Sequence, residues 1–389
     1  IYRDMLLYGI VVPVLPDILP EMVDNVSQAN GFLFGIYALG LMFGGFVFGG
    51  LSDRYQVRQV PMCILLLVLG VATLLFGIAK EYYQLLIARL IQGLAGGGTW
   101  AIGFGMILDM NSPSKSIAIL GSVMACSSMG TLLGPTLGGF LYEGGGRMAP
   151  FVFGGCLAFL DLILRLFIGE TAGWKERQAE IEAEEEAARQ AAKMAVNVQR
   201  KPTTVREMMT SWQLVMCFLT TMAASLSTTS LETVLPLHLK DRLGLSAGPI
   251  GLLFMAAVIP NAIVSPVMGW LMSRFHWDRH LVMSCSILYL AAMLPLTSLP
   301  TQVWTQVIVL LFTGFGLASV LFSPTPHMIH YMSENSNDCY ALLSAINNVF
   351  YAGGMLVGPI LSGALYERMS FLNCMLILIA FLITLSIII

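Results

Sequence analysis

Charge is scarce in this chain. Asp, Glu, Lys and Arg make up 11% of its 389 residues, and the formal net charge is only -3. So little charge excludes a water-soluble globular domain, and basic residues that form no clustered stripe exclude nucleic-acid binding. Cysteine is sparse as well. Cys63, Cys126, Cys156, Cys217, Cys285, Cys339 and Cys374 stand singly, mostly in apolar runs, without the paired spacing of a metal site or disulfide framework, and are expected to be small buried hydrophobes. Histidine numbers five; His327 and His330, three apart after Pro324 and Pro326, could share a helix face but have no nearby Cys or carboxylate to complete a metal set. They are expected as polar termini at the inner end of a helix. Gly96-Gly97-Gly98 lacks the lysine and strand context of a phosphate cradle and reads as helix packing. No zinc spacing, nucleophile elbow or pair of catalytic aspartates argues for an enzyme, and no motif calls for a cofactor or a metal.

What is abundant is hydrophobicity, at 57% of residues with a mean hydropathy of +0.78. About 20 apolar residues cross a bilayer as a helix, and twelve such stretches occur: 4–22, 31–51, 60–80, 84–108, 117–141, 149–168, 211–237, 247–273, 280–298, 303–332, 340–366 and 370–389. The predicted fold is all-α, a polytopic membrane protein of twelve transmembrane helices in two pseudo-symmetric six-helix bundles. The predicted bundles are 1–168 and 211–389, joined by a linker over 169–210. Within it, Glu180, Glu182, Glu184, Glu185 and Glu186 followed by Arg189, Lys193, Arg200 and Lys201 suit a solvated helix stopped by Pro202. With that linker cytoplasmic, the loops on its side hold about twelve Lys/Arg against about five opposite, which puts both termini inside as well. Asn25-Val26-Ser27 in the first outer loop has the pattern of a glycosylation sequon. Ile1 in place of Met, and an apolar run ending at Ile389, lead us to expect tails beyond both ends.

The chain is duplicated. Gly134-Pro135-Thr136-Leu137-Gly138-Gly139-Phe140-Leu141-Tyr142-Glu143 returns as Gly358-Pro359-Ile360-Leu361-Ser362-Gly363-Ala364-Leu365-Tyr366-Glu367, identical at seven of ten positions. Each copy ends an apolar run thinned by small residues so that a neighbour can approach closely. Two related halves in a bilayer suit a machine that rocks about its midline.

Ionisable residues inside spans are costly and mark function. Asp4 lies twelve residues before Pro16, about 18 Å along the helix, near mid-depth of the apolar layer, with Arg3 as a possible structural partner. Glu232 occupies the related span of the second half, and no basic residue precedes it within two turns. Asp161 and Arg165, spaced i, i+4, are expected to neutralise each other. Arg89 opens the fourth span without a local acid and implies a partner across the bundle. Trp100, Tyr37, Phe350 and Tyr351 could line a cavity by cation–π contact or pack as ordinary span aromatics.

These residues resemble the major facilitator superfamily, and within it the twelve-span drug:proton antiporters, along the whole chain. Gly49-Gly50-Leu51-Ser52-Asp53-Arg54-Tyr55 with Arg58 is similar to the superfamily's loop motif between spans two and three, with Gln56 where a glycine is usual. The resemblance implies a gating role for Gly49, Asp53, Arg54 and Arg58, which would latch the halves on the cytoplasmic side. Arg89 to Gly93 resembles the fourth-span motif, implying proton coupling by Arg89. Gly134, Pro135, Gly138 and Gly139 resemble the fifth-span motif of antiporters, implying a conformational role in sealing. More narrowly, Asp4 through Pro13, Ala149 to Asp161, and Leu231-Glu232 with Leu235-Pro236 resemble vesicular amine transporters, which implies that Asp4 and Glu232 bind a cationic amine and protons. Their second-span lysine and eleventh-span aspartate appear here as Tyr37 and Asn348, and their tenth-span acid is replaced by apolar residues near Leu321.

The expected substrate- and proton-binding set is Asp4, Glu232, Arg89, Asn347, Asn348 and Tyr37. The expected activity is proton-coupled antiport of a small organic, cationic or amphipathic molecule by alternating access. A facilitator or symporter for a neutral metabolite, and more remotely a non-transporting receptor, are the alternatives. Expected partners are the small-molecule substrate, protons and the bilayer, with the protein a monomer in the plasma membrane or a vesicle or vacuole membrane.

Overall fold

The computed structural model describes residues 2–55, 58–110, 113–168, 205–275, 278–335 and 340–388. The acidic-then-basic linker lies outside them, as does the side chain of Asp53. Every regular element is helical among the described residues. The first span is α1 (Tyr2–Val11), α2 (Leu15–Ile18) and a 3-10 turn (Leu19–Glu21). The next five are α3 (Val26–Tyr55), α4 (Gln59–Ile78), α5 (Tyr82–Met110), α6 (Pro113–Gly145) and α7 (Ala149–Ile168). A short α8 (Val205–Thr210) precedes α9 (Trp212–Leu243), α10 (Ala247–Phe275), and α11 (Arg279–Met293) with its 3-10 extension to Ser298. The tenth span is α12 (Val303–Phe322) and α13 (Pro324–Asn335), and the last two are α14 (Tyr340–Arg368) and α15 (Phe371–Ile388). Among the described residues, nine helices are long and apolar enough to cross a membrane by themselves.

Two expected spans are therefore broken. Pro13 cannot donate a helical hydrogen bond, and the chain between Val11 and Leu15 closes instead with short bonds from Val12 N to Gly9 O and Val14 N to Val11 O, both 3.1 Å. Pro324 and Pro326 likewise end α12 and restart the helix as α13, where 303–332 was expected to run through. Pro135, Pro236 and Pro359 by contrast sit inside continuous helices.

The packing repeats with the sequence. In the first half α1 lies on α6, α3 on α5 and α4 on α7; in the second, α9 lies on α14, α10 on α12 and α11 on α15. The halves meet along α3 with α14 and α6 with α10. Glycines set the closeness. A Cβ on Gly97 would stand 2.0 Å from the Leu41 carbonyl oxygen, and one on Gly314 2.0 Å from that of Ala257, so α3–α5 and α10–α12 touch backbone to backbone.

Two faces follow from chain direction: a linker face, where α7 ends and α9 begins, and a far face carrying the loops after Glu21, Ile78, Gly145, Leu243, Ser298 and Arg368. Cross-half contacts concentrate toward the far face, where Gly31 meets Pro359 and Gly139 meets Ala247. Toward the linker face the same helix surfaces separate: Phe46 is 62% exposed, Val349 is exposed, and a Cβ on Gly353 would meet nothing. The facing surfaces of the halves thus part toward the linker face, and the gap between them is called the vestibule below. Of the cysteines, Cys217 and Cys374 are buried as expected, but Cys126, Cys156 and Cys285 are exposed, because spans with lipid around them carry apolar groups outward.

Candidate functional site

Tyr8 leads from the first half into the second. It lies one turn after Asp4 on α1, and its hydroxyl donates to Glu232 Oε2 on α9 at 2.7 Å. Its ring packs edge-on against Phe34, 5.6 Å between centroids, and beside Tyr37 at 5.2 Å, both on α3. Glu232 is half-buried, in a helix whose neighbouring turns are almost wholly buried. The residue after it is locked across the interface as well, since Asn30 Nδ2 donates to the Thr233 carbonyl at 2.6 Å. Glu232 therefore sits at the contact between the two halves, and no cation pairs with it among the described residues.

Beneath the same aromatic group lies Arg89, 1% exposed. Its guanidinium is 5.7 Å from the Phe34 ring centre, 5.4 Å from Tyr37 and 5.1 Å from Phe76, a three-sided aromatic box. Its Nη1 donates to Gln92 at 3.2 Å, and Gln92 Nε2 donates to Thr73 at 3.1 Å. Arg89 Nε and Nη2 have no hydrogen-bond partner. The partner that sequence implied across the bundle is thus a set of ring faces rather than a carboxylate, and a delocalised guanidinium tolerates that better than an ammonium would.

Asp4 is not stranded. It is 2% exposed and held by the Arg3 guanidinium at 2.5 Å, while Thr99 donates to its other oxygen at 3.1 Å. Arg3 reaches Asp161 at 2.8 Å with its other arm. This corrects the expected Asp161–Arg165 pair: Asp161 neutralises Arg3, and Arg165 lies against the Met106 sulfur at 2.9 Å. Arg3, weighed from sequence as a structural partner of Asp4, holds Asp161 as well.

The other expected residues divide. Tyr37 joins the box. Asn347 lies on α14 one turn before Tyr351, on the same face, with its Oδ1 buried and unpartnered, whereas Asn348 is exposed. Phe350 stacks on Phe218, 5.3 Å between centroids, and packs rather than lines. Trp100 meets Phe104 edge-on at 5.3 Å, its indole N–H buried and unpartnered. His327 is buried against His280, 4.5 Å between ring centres, instead of serving as an exposed terminus. No group of three or more metal-ligating side chains occurs among the described residues.

Of the loop-motif residues, Gly49 would carry its Cβ 3.0 Å from Ala101, Arg58 donates to Ser52 at 3.2 Å, and Arg54 is exposed. The fifth-span glycines face two partners in turn. Gly134 lies against Gly9 and Gly138 against the Ile10 carbonyl, both in the same half, while Gly139 lies against the Ala247 carbonyl in the other. Gly9 in turn packs on the Pro135 ring.

Two six-span halves that meet at the far face and part at the linker face are an organisation that a sequence family shares. The model of the Major Facilitator Superfamily matches twice, over residues 4–229 and 217–389. The chain belongs to the Major Facilitator Superfamily. It is 25% identical over 360 residues to Multidrug resistance protein 1 of Bacillus subtilis, covering 92% of this chain and 86% of that protein. It is also 25% identical over 403 residues to the MFS-type transporter SLC18B1 of Mus musculus, covering 94% and 78%. A bacterial homologue of the human lysosomal transporter Spinster, solved in an inward-facing, occupied conformation, superposes with a TM-score of 0.77 at 13% identity, over 100% of this chain and 93% of that one. The protein is thus a multi-pass membrane transporter of this superfamily, not an enzyme.

Proposed function

We propose that the protein exchanges protons for a small organic cation or amphipathic molecule, with Glu232 as the residue both compete for. One observation carries this reading: Glu232 is a half-buried carboxylate between the two halves, hydrogen-bonded by Tyr8 but unpaired by any described cation. A negative charge so placed costs free energy unless a cation or a proton joins it, and joining by one displaces the other. The Tyr8 ring beside it, backed by Tyr37 and Phe34, suits an amphipathic cation. The multidrug-resistance relative named above supports the substrate class. Asp4, neutralised by Arg3, is assigned to holding α1, and Arg89 to holding the aromatic wall that positions Tyr8.

The Lys/Arg bias makes the linker face cytoplasmic, so that substrate enters from that side and leaves at the far face. The test is Glu232→Gln in proteoliposomes with an imposed pH gradient, using a lipophilic amine dye as substrate. Dye movement driven by the gradient is expected to vanish while the variant still inserts. Undiminished movement removes Glu232 from the mechanism.

A further inference from the structure

The duplicated decapeptide builds the far-face seal twice, with the same rungs. Pro135, Gly139 and Glu143 stand four residues apart, on one face of α6; Pro359, Gly363 and Glu367 do so on α14. The first rung is a proline carbonyl against a glycine of the opposite half: a Cβ on Gly251 would stand 2.3 Å from Pro135 O, and one on Gly31 2.2 Å from Pro359 O. The second rung is a glycine against a backbone carbonyl: Gly139 against Ala247 O at 2.2 Å, Gly363 against Ser27 O at 2.4 Å, both measured to a Cβ that glycine lacks. The recipients are themselves duplicated, since Gly31-Phe32-Leu33-Phe34 in α3 answers Gly251-Leu252-Leu253-Phe254 in α10.

The third rung is a carboxylate. Glu143 Oε1 accepts from the Gly248 backbone N–H at 2.9 Å, and Glu367 Oε2 accepts from the Ser27 hydroxyl. Both carboxylates therefore end in the first turn of the helix that begins the opposite half's contact surface, where free N–H groups and the positive end of the helix dipole favour an anion. The carboxylate comes close enough that a Cβ on Gly248 would lie 2.4 Å from Glu143 Oε2.

The structure assigns Glu143 and Glu367 as a symmetry-related pair of gate-positioning residues, each fastening the far face shut by binding the helix start of the other half. Neither touches the vestibule, so neither handles substrate. The proposal concerns the far seal alone and stands whether or not Glu232 is the exchange residue. Both carboxylates are exposed, which weakens each bond, so losing one should raise the ratio of far-open to far-closed molecules about fivefold. Losing both should raise it about 25-fold, because the two latches share no partner.

The experiment places spin labels at Glu81→Cys and Thr301→Cys, exposed far-face positions in opposite halves, on a background freed of native cysteines, and measures their distance distribution by pulsed electron resonance. Glu143→Ala and Glu367→Ala should each move population to a longer distance, and the double variant should move more than either. An unchanged distribution in the double variant, or a shift in one single variant that the other does not share, overturns the assignment. Should the Ala pair not purify as a monodisperse protein, the Glu→Gln pair replaces it. It is expected to shift the same way but less, since a neutral amide oxygen accepts more weakly than a carboxylate; no shift there overturns the assignment equally.

Discussion

Adding one methyl group at Gly31 or at Gly97 creates nearly the same local clash, yet the two should have opposite consequences. At Gly31 the new Cβ would lie 2.2 Å from Pro359 O; at Gly97 it would lie 2.0 Å from Leu41 O. Real Cβ contacts begin at about 3.0–3.4 Å, so each helix pair must part by about 1 Å. Replacing a helical glycine by alanine returns about 1 kcal/mol of propensity, while overpacking of this kind costs about 1–3 kcal/mol. At Gly97 the pair α3–α5 belongs to one half, so the separation disrupts folded packing and the net loss reaches up to about 2 kcal/mol. At Gly31 the pair α3–α14 spans the two halves, and rocking them apart at the far face relieves the clash without unpacking either. Gly97→Ala should therefore lower the thermal midpoint in detergent by several degrees. Gly31→Ala should leave it within about a degree but lengthen the Glu81–Thr301 label distance. Equal losses of thermal stability would falsify the claim that the far seal is a separable contact between two rigid halves.

Arg3 should prove structural: Arg3→Gln leaves the buried Asp4 unpaired, a change that costs about 3–5 kcal/mol when a buried ion loses its partner, and should abolish recovery of folded protein in fluorescence size-exclusion. Asp161→Asn, whose acid is 44% exposed at its side chain, should leave both recovery and uptake within about twofold. Arg89→Lys should insert normally but lose uptake about tenfold, since a compact ammonium cannot face three rings and reach Gln92 together; uptake equal to wild type would show that the box needs charge alone.

Much of the architecture is legible in the chain because a bilayer leaves few choices: apolar runs of about 20 residues must be helices, and a repeated decapeptide must occupy repeated surroundings. Glu232 is legible for the same reason, as an acid within an apolar run with no local base. The Asp161–Arg165 pair misleads because i, i+4 arithmetic sees only one helix, whereas Asp161 is met by Arg3 of α1, the same arginine that holds Asp4. The Arg89 box escapes sequence inspection because its three rings come from α3 and α4, far along the chain. Tyr8 has a signal that could have been used: a tyrosine one turn from an intramembrane acid shares its helix face. The breaks at Pro13 and Ser323 show that hydropathy reports the length of an apolar run but not the continuity of its hydrogen bonds.

The break above Tyr8 has a mechanical result. Below it, α1 is packed on α6 and moves with its own half; above it, the carbonyl of Pro16 and the carboxylate of Asp17 are tethered to Lys240 of the other. One span is thereby divided between two bodies. When they swing, the torsional change falls on the three residues Val12, Pro13 and Val14, which already lie outside regular helix. That short pivot lets the tyrosine leave its glutamate while the upper stub stays moored, so the site can come apart before the lid above it does.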